Sequence, residues 1–348
     1  MSYNKFFVTR YMGAKYKLLD FIVPHIHKNM KPEATFIDLM AGTHSIAYAV
    51  KQDFNTVSND IQRYSFIFGK ALIENNQISR VDQRTESDFS DLNLEIEKDS
   101  WLTLNYKDTY FSENQLCEIS AIRKRIATLN NDHLEAIYLV ALSYAMSLCQ
   151  SSTGHFAQYL PMGNPRTEYL RSMSISDSFF SKCAELEIAL SDMTSRVFNI
   201  ESSSFLKSPE LESLAPAGSL VYLDPPYSPA QYSRYYHLLE TVVNNDQPNI
   251  AFKGLYRDDR FQSGFCSPRS AKNEFQTVIA ESAKRDWSLL ISYANSGVVD
   301  IDVIIELASL YYGNVELATQ DYDHSTQGRG EVRSIKEVLV ICTEPIKQ

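Results

Sequence analysis

The sequence predicts an α/β protein in which one sheet is assembled from two separated stretches of chain, with a mainly helical insertion between them. Three observations carry this expectation. Near the N-terminus an apolar strand candidate, a glycine turn and a helical stretch follow one another, and a second strand candidate comes about twenty residues after the first. Later, an apolar strand runs straight into Asp224-Pro225-Pro226-Tyr227. Between the two lies a stretch poor in glycine in which apolar positions recur every three or four residues.

In chain order, residues 35–39 form the first strand candidate, Ala41-Gly42-Thr43 the turn and 45–50 the helical stretch. Residues 55–58 form the second strand and end in Asn59-Asp60, the spacing that a βαβ unit binding a nucleoside cofactor requires. From about residue 76 to 196 the texture is helical and polar, with helices expected around 114–129 and 133–149 and a Gly/Pro-containing loop over 151–166. Strand signals return at 196–200 and 219–223, and again at 287–293, 314–318 and 336–342. The expected organisation is a binding and catalytic domain made of 1–75 and 197–348, interrupted by the insertion 76–196. No internal repeat or low-complexity tract is visible.

The 348 residues contain 44% hydrophobic and 22% charged residues, which excludes a disordered, collagen-like or coiled-coil chain. Acidic residues outnumber basic ones, 43 against 33, and the net charge of −10 argues against a protein that coats nucleic acid through bulk charge. The charge is uneven. Residues 1–31 hold six Lys/Arg against one Asp and 253–272 hold five against two, whereas 82–99 hold two against seven and 298–324 none against six. Five scattered cysteines without a C-x-x-C pair suggest neither a disulfide framework nor a zinc site. With no signal-peptide pattern and no run of 18 apolar residues, a soluble cytoplasmic protein without a membrane partner is expected.

Asp224-Pro225-Pro226-Tyr227 is the strongest chemical signal. Ligands of α/β sheets meet the carboxyl ends of strands, so a carboxylate there is well placed. Two consecutive prolines fix φ and remove two backbone donors, leaving a stiff turn whose carbonyls can face a ligand. The plainer reading is a rigid strand-to-loop turn capped by an aspartate. Gly42 allows a close backbone approach, and Asp60, at the tip of the second strand, suits the hydroxyls of a ribose.

Together with its surroundings this tetrapeptide resembles the amino-methyltransferases that modify the exocyclic amine of adenine in DNA. Arg10-Tyr11-Met12-Gly13-Ala14-Lys15 with Leu18-Leu19 resembles their N-terminal cofactor motif, and Phe36-Ile37-Asp38-Leu39-Met40-Ala41-Gly42-Thr43 their S-adenosylmethionine (SAM) loop. Asn59-Asp60-Ile61 resembles the acidic position that follows, and Asn199-Ile200-Glu201-Ser202 the segment before the catalytic strand. Cofactor motifs first, then a long insertion, then the tetrapeptide is the order of the family's alpha group, in which the insertion is the target-recognition region. The resemblance implies a Rossmann-like SAM-dependent methyltransferase sheet, SAM bound by these motifs, no metal, and duplex DNA as partner. It also implies the methylase of a restriction-modification system, with any cognate endonuclease a separate protein, or a solitary or phage methylase. His44, also expected among the cofactor contacts, departs from the pattern, standing where the family usually has a second glycine. If that position needs φ > 0 it costs something, although histidine tolerates the left-handed region better than branched residues do.

The implied chemistry is positional. Asp224 and the Pro225 carbonyl would accept the two N–H groups of an adenine amine and aim its lone pair at the SAM methyl, while Pro226 stiffens the turn and Tyr227 stacks on the swung-out base. Gln231, Tyr232, Arg234, Tyr235 and His237 follow closely and suit a base pocket or strand contact, although packing of the next helix would also account for Tyr235 and Tyr236. Lys253, Arg257, Arg260 and Arg269 form a basic, aromatic loop suited to phosphates, and His155 and Arg166 lie in the stretch that resembles the recognition part. Two alternatives stay open at this stage: an RNA adenine methyltransferase sharing the tetrapeptide, and a SAM-fold module that binds DNA without methylating it.

Overall fold

The computed structural model describes residues Tyr3, Phe6, 11–93, 95–322 and 335–347, so Arg10 of the N-terminal motif lies outside the described residues. Its centre is a seven-stranded sheet of β1 (Thr35–Asp38), β2 (Asn55–Asn59), β3 (Ser195–Phe198), β4 (Leu220–Leu223), β7 (Ser288–Ala294), β8 (Tyr312–Tyr322) and β9 (Ile335–Pro345), ordered β3-β2-β1-β4-β7-β9-β8. A separate two-stranded antiparallel hairpin pairs β5 (Ile250–Ala251) with β6 (Tyr256–Arg257). The first five strands of the large sheet run parallel, and β9 and β8 are antiparallel additions at one edge.

Near-continuous apolar runs put these strands in the middle of the sheet. β1, β4 and β7 are buried at every position, as expected of parallel strands covered on both faces. Ile37 sits opposite Val57 on one side and Val221 on the other, and alternation then assigns the faces. Phe36, Leu220, Tyr222, Leu290 and Leu339 enter one core, Ile37, Val221, Leu223, Leu289 and Val340 the other. The chain leaves β1 towards β2 and β3 in one direction, and β4 leads to β7 in the other. The strand order therefore reverses between β1 and β4, which opens a crevice at their carboxyl ends.

The expected helices at 114–129 and 133–149 are Glu113–Ile126 and Asp132–Cys149. The first starts at a reciprocal cap, in which Ser112 accepts from the Gln115 amide while the Gln115 side chain accepts from the Ser112 amide. Asn131 caps the second by accepting from the Leu134 amide. These helices, with Ile175–Glu185, belong to the same hydrophobic cluster as Phe36, Tyr222 and Leu339 of the sheet. Helices Ala271–Lys284 and Ile301–Ser309 cover the opposite face.

One buried cation ties the insertion to a helix that follows the Asp224 turn. Arg123 donates from Nε to the Val242 carbonyl at 2.8 Å and from Nη2 to the Val243 carbonyl at 3.1 Å, in the last turn of helix His237–Asn244. All five cysteines are free and buried. Among the described residues no helix is long and apolar enough to cross a membrane.

A shared core predicts shared unfolding. Trp101 lies in the insertion and Trp287 is buried beneath the opposite face of the sheet, so the variants Trp101→Phe and Trp287→Phe each leave one local reporter. In each variant, urea titrations followed by the remaining tryptophan's fluorescence and by far-ultraviolet circular dichroism are expected to give one midpoint; a fluorescence midpoint that separates from the dichroism midpoint of the same variant would show that the insertion melts alone.

Candidate active site

The crevice at the β1/β4 switch holds a cavity of about 830 Å³ whose walls include Lys15, Asp38, Gly42, Asp60, Asp224 and Tyr232. A second cavity of about 330 Å³ shares Met40, Asp60, Ile61, Phe261 and Ser263 with the first and is closed by Glu201 and Ser202. The two adjoin along these five shared residues, Asp60 among them.

The turn after β1 is built to leave this space open. Gly42 has φ +52°, and a Cβ there would come within 3.2 Å of the Tyr11 ring. Its amide donates to Asp60 Oδ2 at 2.8 Å, while Asp60 Oδ1 accepts from the Gln62 amide at 2.8 Å, so the carboxylate is oriented by the backbone on both sides. Burial raises the Asp60 pKa, and the amide bonds act against that rise. Asn59 fastens the strand ends together, donating to the Leu39 and Ile200 carbonyls and accepting from the Ile200 amide. Met12, Gly13, Ala41, Thr43 and Ile61 line the larger cavity as well.

His44 is placed otherwise than expected of a cofactor contact. The position does require φ > 0, since His44 sits at φ 59°, ψ 23°. Its ring, however, turns away from the cavity into the core, with Nδ1 2.7 Å from Ser58 Oγ and Nε2 2.7 Å from the Ser65 carbonyl, against Gly69. Burial pushes its pKa down to about 4, so the ring is neutral. Histidine meets the backbone demand here and gains two hydrogen bonds that a glycine could not make.

Four polar side chains converge at the turn after β4. Lys15 Nζ lies 2.8 Å from Asp224 Oδ1 and 3.6 Å from Glu337 Oε1. It also donates to the Tyr227 hydroxyl at 2.5 Å, which in turn is 2.7 Å from Asp224 Oδ1 and 2.8 Å from Glu337 Oε1. Burial raises the Asp224 pKa, Lys15 opposes that rise and Glu337 adds to it. Asp38 is also pushed well up by burial, with the Asp224 charge contributing. The Tyr227 ring borders the cavity, but it packs edge-on against Tyr293 and its hydroxyl is held within the network.

Sequence reasoning passes over Glu337. It is the third residue of β9 and shares the buried face of Leu339 and Ile341, so a charged residue in the buried phase of a strand is the signal. It reaches the site because β9 runs antiparallel to β7, pairing Glu337 with Ala294 at the carboxyl edge of the sheet.

The N-terminal segment is held by the chain that follows Tyr227. Tyr11 stacks on Tyr236 with centroids 4.5 Å apart, and the Met12 amide donates to the Tyr236 hydroxyl at 2.8 Å. Glu201 caps helix Ser202–Leu206; burial alone would raise its pKa, but the amide and hydroxyl donors of Ser202, Ser203 and Ser204 hold it below the ordinary value.

The residues expected to touch DNA fall into three groups. Arg234, Lys253, Arg269 and Arg166 are exposed, and Tyr235, Arg260 and His155 are half-buried, the Tyr235 and His155 rings meeting at 4.5 Å. Gln231 and Tyr232 border the cavity, where Gln231 forms a two-way amide pair with the backbone of Ser263. Two expectations are corrected. Arg257 is buried and committed to Asp246 and Asp259, so it is not available to a phosphate. His237 is fully buried, bonded to the Phe156 carbonyl at 2.9 Å and pushed down to about 3, so it is a neutral core residue. Among the described residues no group of three or more His, Cys, Asp or Glu side chains is placed to hold a metal ion.

A mostly parallel sheet with a switch-point crevice, a glycine turn after β1, an acid after β2 and D-P-P-Y after β4 defines a Rossmann-like methyltransferase fold. The chain belongs to the D12 class N6 adenine-specific DNA methyltransferases, whose family model matches residues 11–293. It is 27% identical to the modification methylase LlaI of Lactococcus lactis subsp. lactis, over 95% of this chain and 54% of that protein. It is 29% identical to the type II methyltransferase M.FokI of Planomicrobium okeanokoites, over 83% of this chain and 45% of that protein. The chain thus spans about half the length of these two relatives. Against the type II methyltransferase M.NlaIII of Neisseria lactamica the identity is 23%, over 94% of this chain and 95% of the relative.

Acid should weaken the fold through the buried histidines. Unfolded, His44 takes up a proton near its ordinary 6.5, but folded it does so only at about 4, so stability is lost as pH falls through that window. His44→Asn tolerates the same backbone region and does not titrate there. Between pH 7 and pH 4.5 the variant is expected to lose about 2 kcal/mol less stability than the wild type in urea titrations. Equal losses would show that His44 titrates normally in the folded protein.

Proposed function

We propose that the chain transfers the methyl group of SAM to the N6 amine of an adenine swung out of duplex DNA into the larger cavity. The observation that carries this reading is Asp224 and Pro225 at the switch-point crevice, where two adjoining cavities share Asp60. The residues present fit SAM. Asp38 Oδ1 is buried without a hydrogen-bond partner and suits the donors of an ammonium group. Asp60 has both oxygens oriented by backbone amides and keeps lone pairs for ribose hydroxyls, which places the methionine part in the larger chamber and the base in the smaller, beside Glu201 and Ser202. When bound, SAM supplies an electrophilic methyl group on a sulfonium.

The remaining chemistry is done by positioning. Lys15 and Tyr227 both engage Oδ1 of Asp224, so Oδ2 would accept one N–H of the amine while the Pro225 carbonyl accepts the other. Two acceptors on the two N–H groups draw the amine towards tetrahedral geometry and expose its lone pair, which in the free base is delocalised into the ring. Tyr227 cannot both hold this network and turn freely; its role is to fix Asp224 and offer its ring as part of the wall. In this reading the insertion 76–196 reads the target sequence, and the chain is the modification component of a restriction-modification pair whose endonuclease is a separate protein. The printed names of the relatives, modification and type II methylases, support that context.

Labelled SAM incubated with duplex DNA and, in parallel, with total RNA tests the substrate. Label is expected in DNA alone and label in RNA alone would replace this reading; sequencing the methylated bases of a methylation-free bacterial host expressing the chain then gives the site. Asp224→Ala is expected to abolish transfer while the circular dichroism spectrum and melting temperature stay near those of the wild type.

Glu337→Gln tests the network. With one acceptor weakened, Tyr227 and Lys15 no longer hold Asp224 in place, so kcat should fall on the order of tenfold or more while SAM affinity changes little. An unchanged kcat would show that Lys15 and Tyr227 alone suffice.

A further inference from the structure

The hairpin formed by β5 and β6 carries an unusual tip. Four residues, Phe252-Lys253-Gly254-Leu255, join the strands, and the turn closes with the Leu255 amide donating to the Phe252 carbonyl at 3.0 Å. Phe252 has φ 64° and Leu255 φ 54°, both in the left-handed region that bulky side chains avoid. Phe252 is 71% exposed, the most exposed large hydrophobic side chain among the described residues. An apolar ring this exposed, on a strained backbone, gains little from burial in the folded chain.

The tip is nevertheless rigid. Two buried tyrosines of the insertion face its carbonyls: Tyr106 donates to Leu255 at 3.0 Å, and the Tyr110 hydroxyl shares its one proton between the carbonyls of Phe156 at 2.5 Å and Gly254 at 2.9 Å, while the Tyr256 hydroxyl donates to the Ala157 carbonyl. Gly254 packs so closely over Tyr256 that a Cβ would come within 2.3 Å of that ring. The backbone that carries Phe252 is therefore held in place, so little main-chain ordering is needed on binding.

What it is presented to follows from its surroundings. Phe252 borders an open groove of about 760 Å³ whose walls are Arg234, Lys253, Gly254, Tyr256 and Arg260, with no acidic side chain among them. Arg234 lies over the Tyr256 ring at 5.1 Å, and Arg260 over both Tyr256 at 5.6 Å and Phe252 at 6.0 Å. Of the two acids on the loop, Asp259 is already paired with Arg257 and Asp258 is exposed outside the groove walls. The groove adjoins the larger cavity: Ser233 and Phe261, the neighbours of Arg234 and Arg260, line that cavity, and Ser233 Oγ donates to the Phe261 carbonyl at 2.6 Å. Cations around an exposed flat ring, next to the mouth of a cavity sized for a base, are complementary to a phosphate backbone with an opened base stack.

We infer that Phe252 is a wedge that enters the duplex where the target adenine has left it, with Arg234, Lys253 and Arg260 holding the flanking phosphates. The inference rests on the methyl-transfer reading and adds a separate element to it. A base that leaves the stack exposes the faces of its neighbours and leaves its partner unpaired; a fixed aromatic ring in the gap restores stacking and prevents the adenine from returning. The wedge stands outside the cavity that holds the reacting groups, so it acts on the extrusion equilibrium and not on the transfer step.

The test compares wild type with Phe252→Ala and Phe252→Asn, the second chosen because asparagine tolerates φ > 0, on two duplexes of the site found by sequencing. In one the target adenine is paired; in the other it faces an abasic nucleotide, so that extrusion costs less. Both variants are expected to methylate the paired duplex about tenfold or more slowly and to recover to within about threefold of wild type on the abasic duplex. With 2-aminopurine in place of the target adenine, the fluorescence rise on binding the paired duplex should shrink in the same variants. A loss of equal size on both duplexes, or no loss on either, overturns the wedge. If sequencing finds no methylated adenine in the expressing host and the wild type transfers no label to duplex DNA, the methyl-transfer reading itself is overturned, and the wedge with it.

Discussion

One buried ammonium, that of Lys15, holds together three parts of the chain that are far apart in sequence. It lies against Asp224 at the end of β4, Glu337 at the start of β9 and the Tyr227 hydroxyl between them. Burial raises the Asp224 pKa and the Glu337 charge adds to that rise, while the ammonium and the phenol both act against it. Such a cluster adds little net stability, since desolvation of its charges offsets their attraction, but it admits only one arrangement of the turn. The stiffness of Pro225 and Pro226 and the orientation of Asp224 are useful only because that arrangement is fixed.

The same constraint explains why the N-terminal segment is ordered where it enters the site. Lys15 is anchored by the acids, and Tyr11 and Met12 by Tyr236, so the segment 11–15 is clamped between the β4 turn and the helical stretch that follows it. Tyr11 in turn limits the room over Gly42, which makes the glycine necessary. A wall of the larger cavity thus comes from residues that have no strand of their own and depend on tertiary contacts alone.

Much of this was legible in the sequence, and the reasons for success and failure differ by residue. The central strands were readable because parallel strands buried on both faces need unbroken apolar runs; the edges of 35–39, 55–58 and 219–223 were off by one residue at most. The helix 45–50 and the carboxylates at strand ends were readable because the glycine turn and the prolines punctuate the chain. Glu337 was not, because its meaning depends on β9 running antiparallel, a direction that a strand's own residues do not encode. His44 was misplaced for a related reason: its backbone need is local and predictable, but Ser58, the Ser65 carbonyl and Gly69, which draw the ring inward, come from β2 and the next helix. Arg257 and His237 fit a basic, aromatic pattern by composition, and only their partners Asp246, Asp259 and Phe156 reveal them as structural.

Removing Arg257 and His237 from the DNA-facing set sharpens the electrostatic picture. A net charge of −10 cannot attract a polyanion over a distance, and with Arg257 neutralised internally the loop 253–272 presents fewer free cations than its composition suggests. Those that remain beside the cavity, Arg234, Lys253 and Arg260, are spaced around aromatic rings and not gathered in a patch. On the proposed methyl-transfer reading, few phosphate contacts mean a shallow dependence of binding on salt and little retention on unrelated DNA. On that reading discrimination comes after the first encounter, and a tip held by Tyr106 and Tyr110 would couple sequence reading by the insertion to the opening of the cavity.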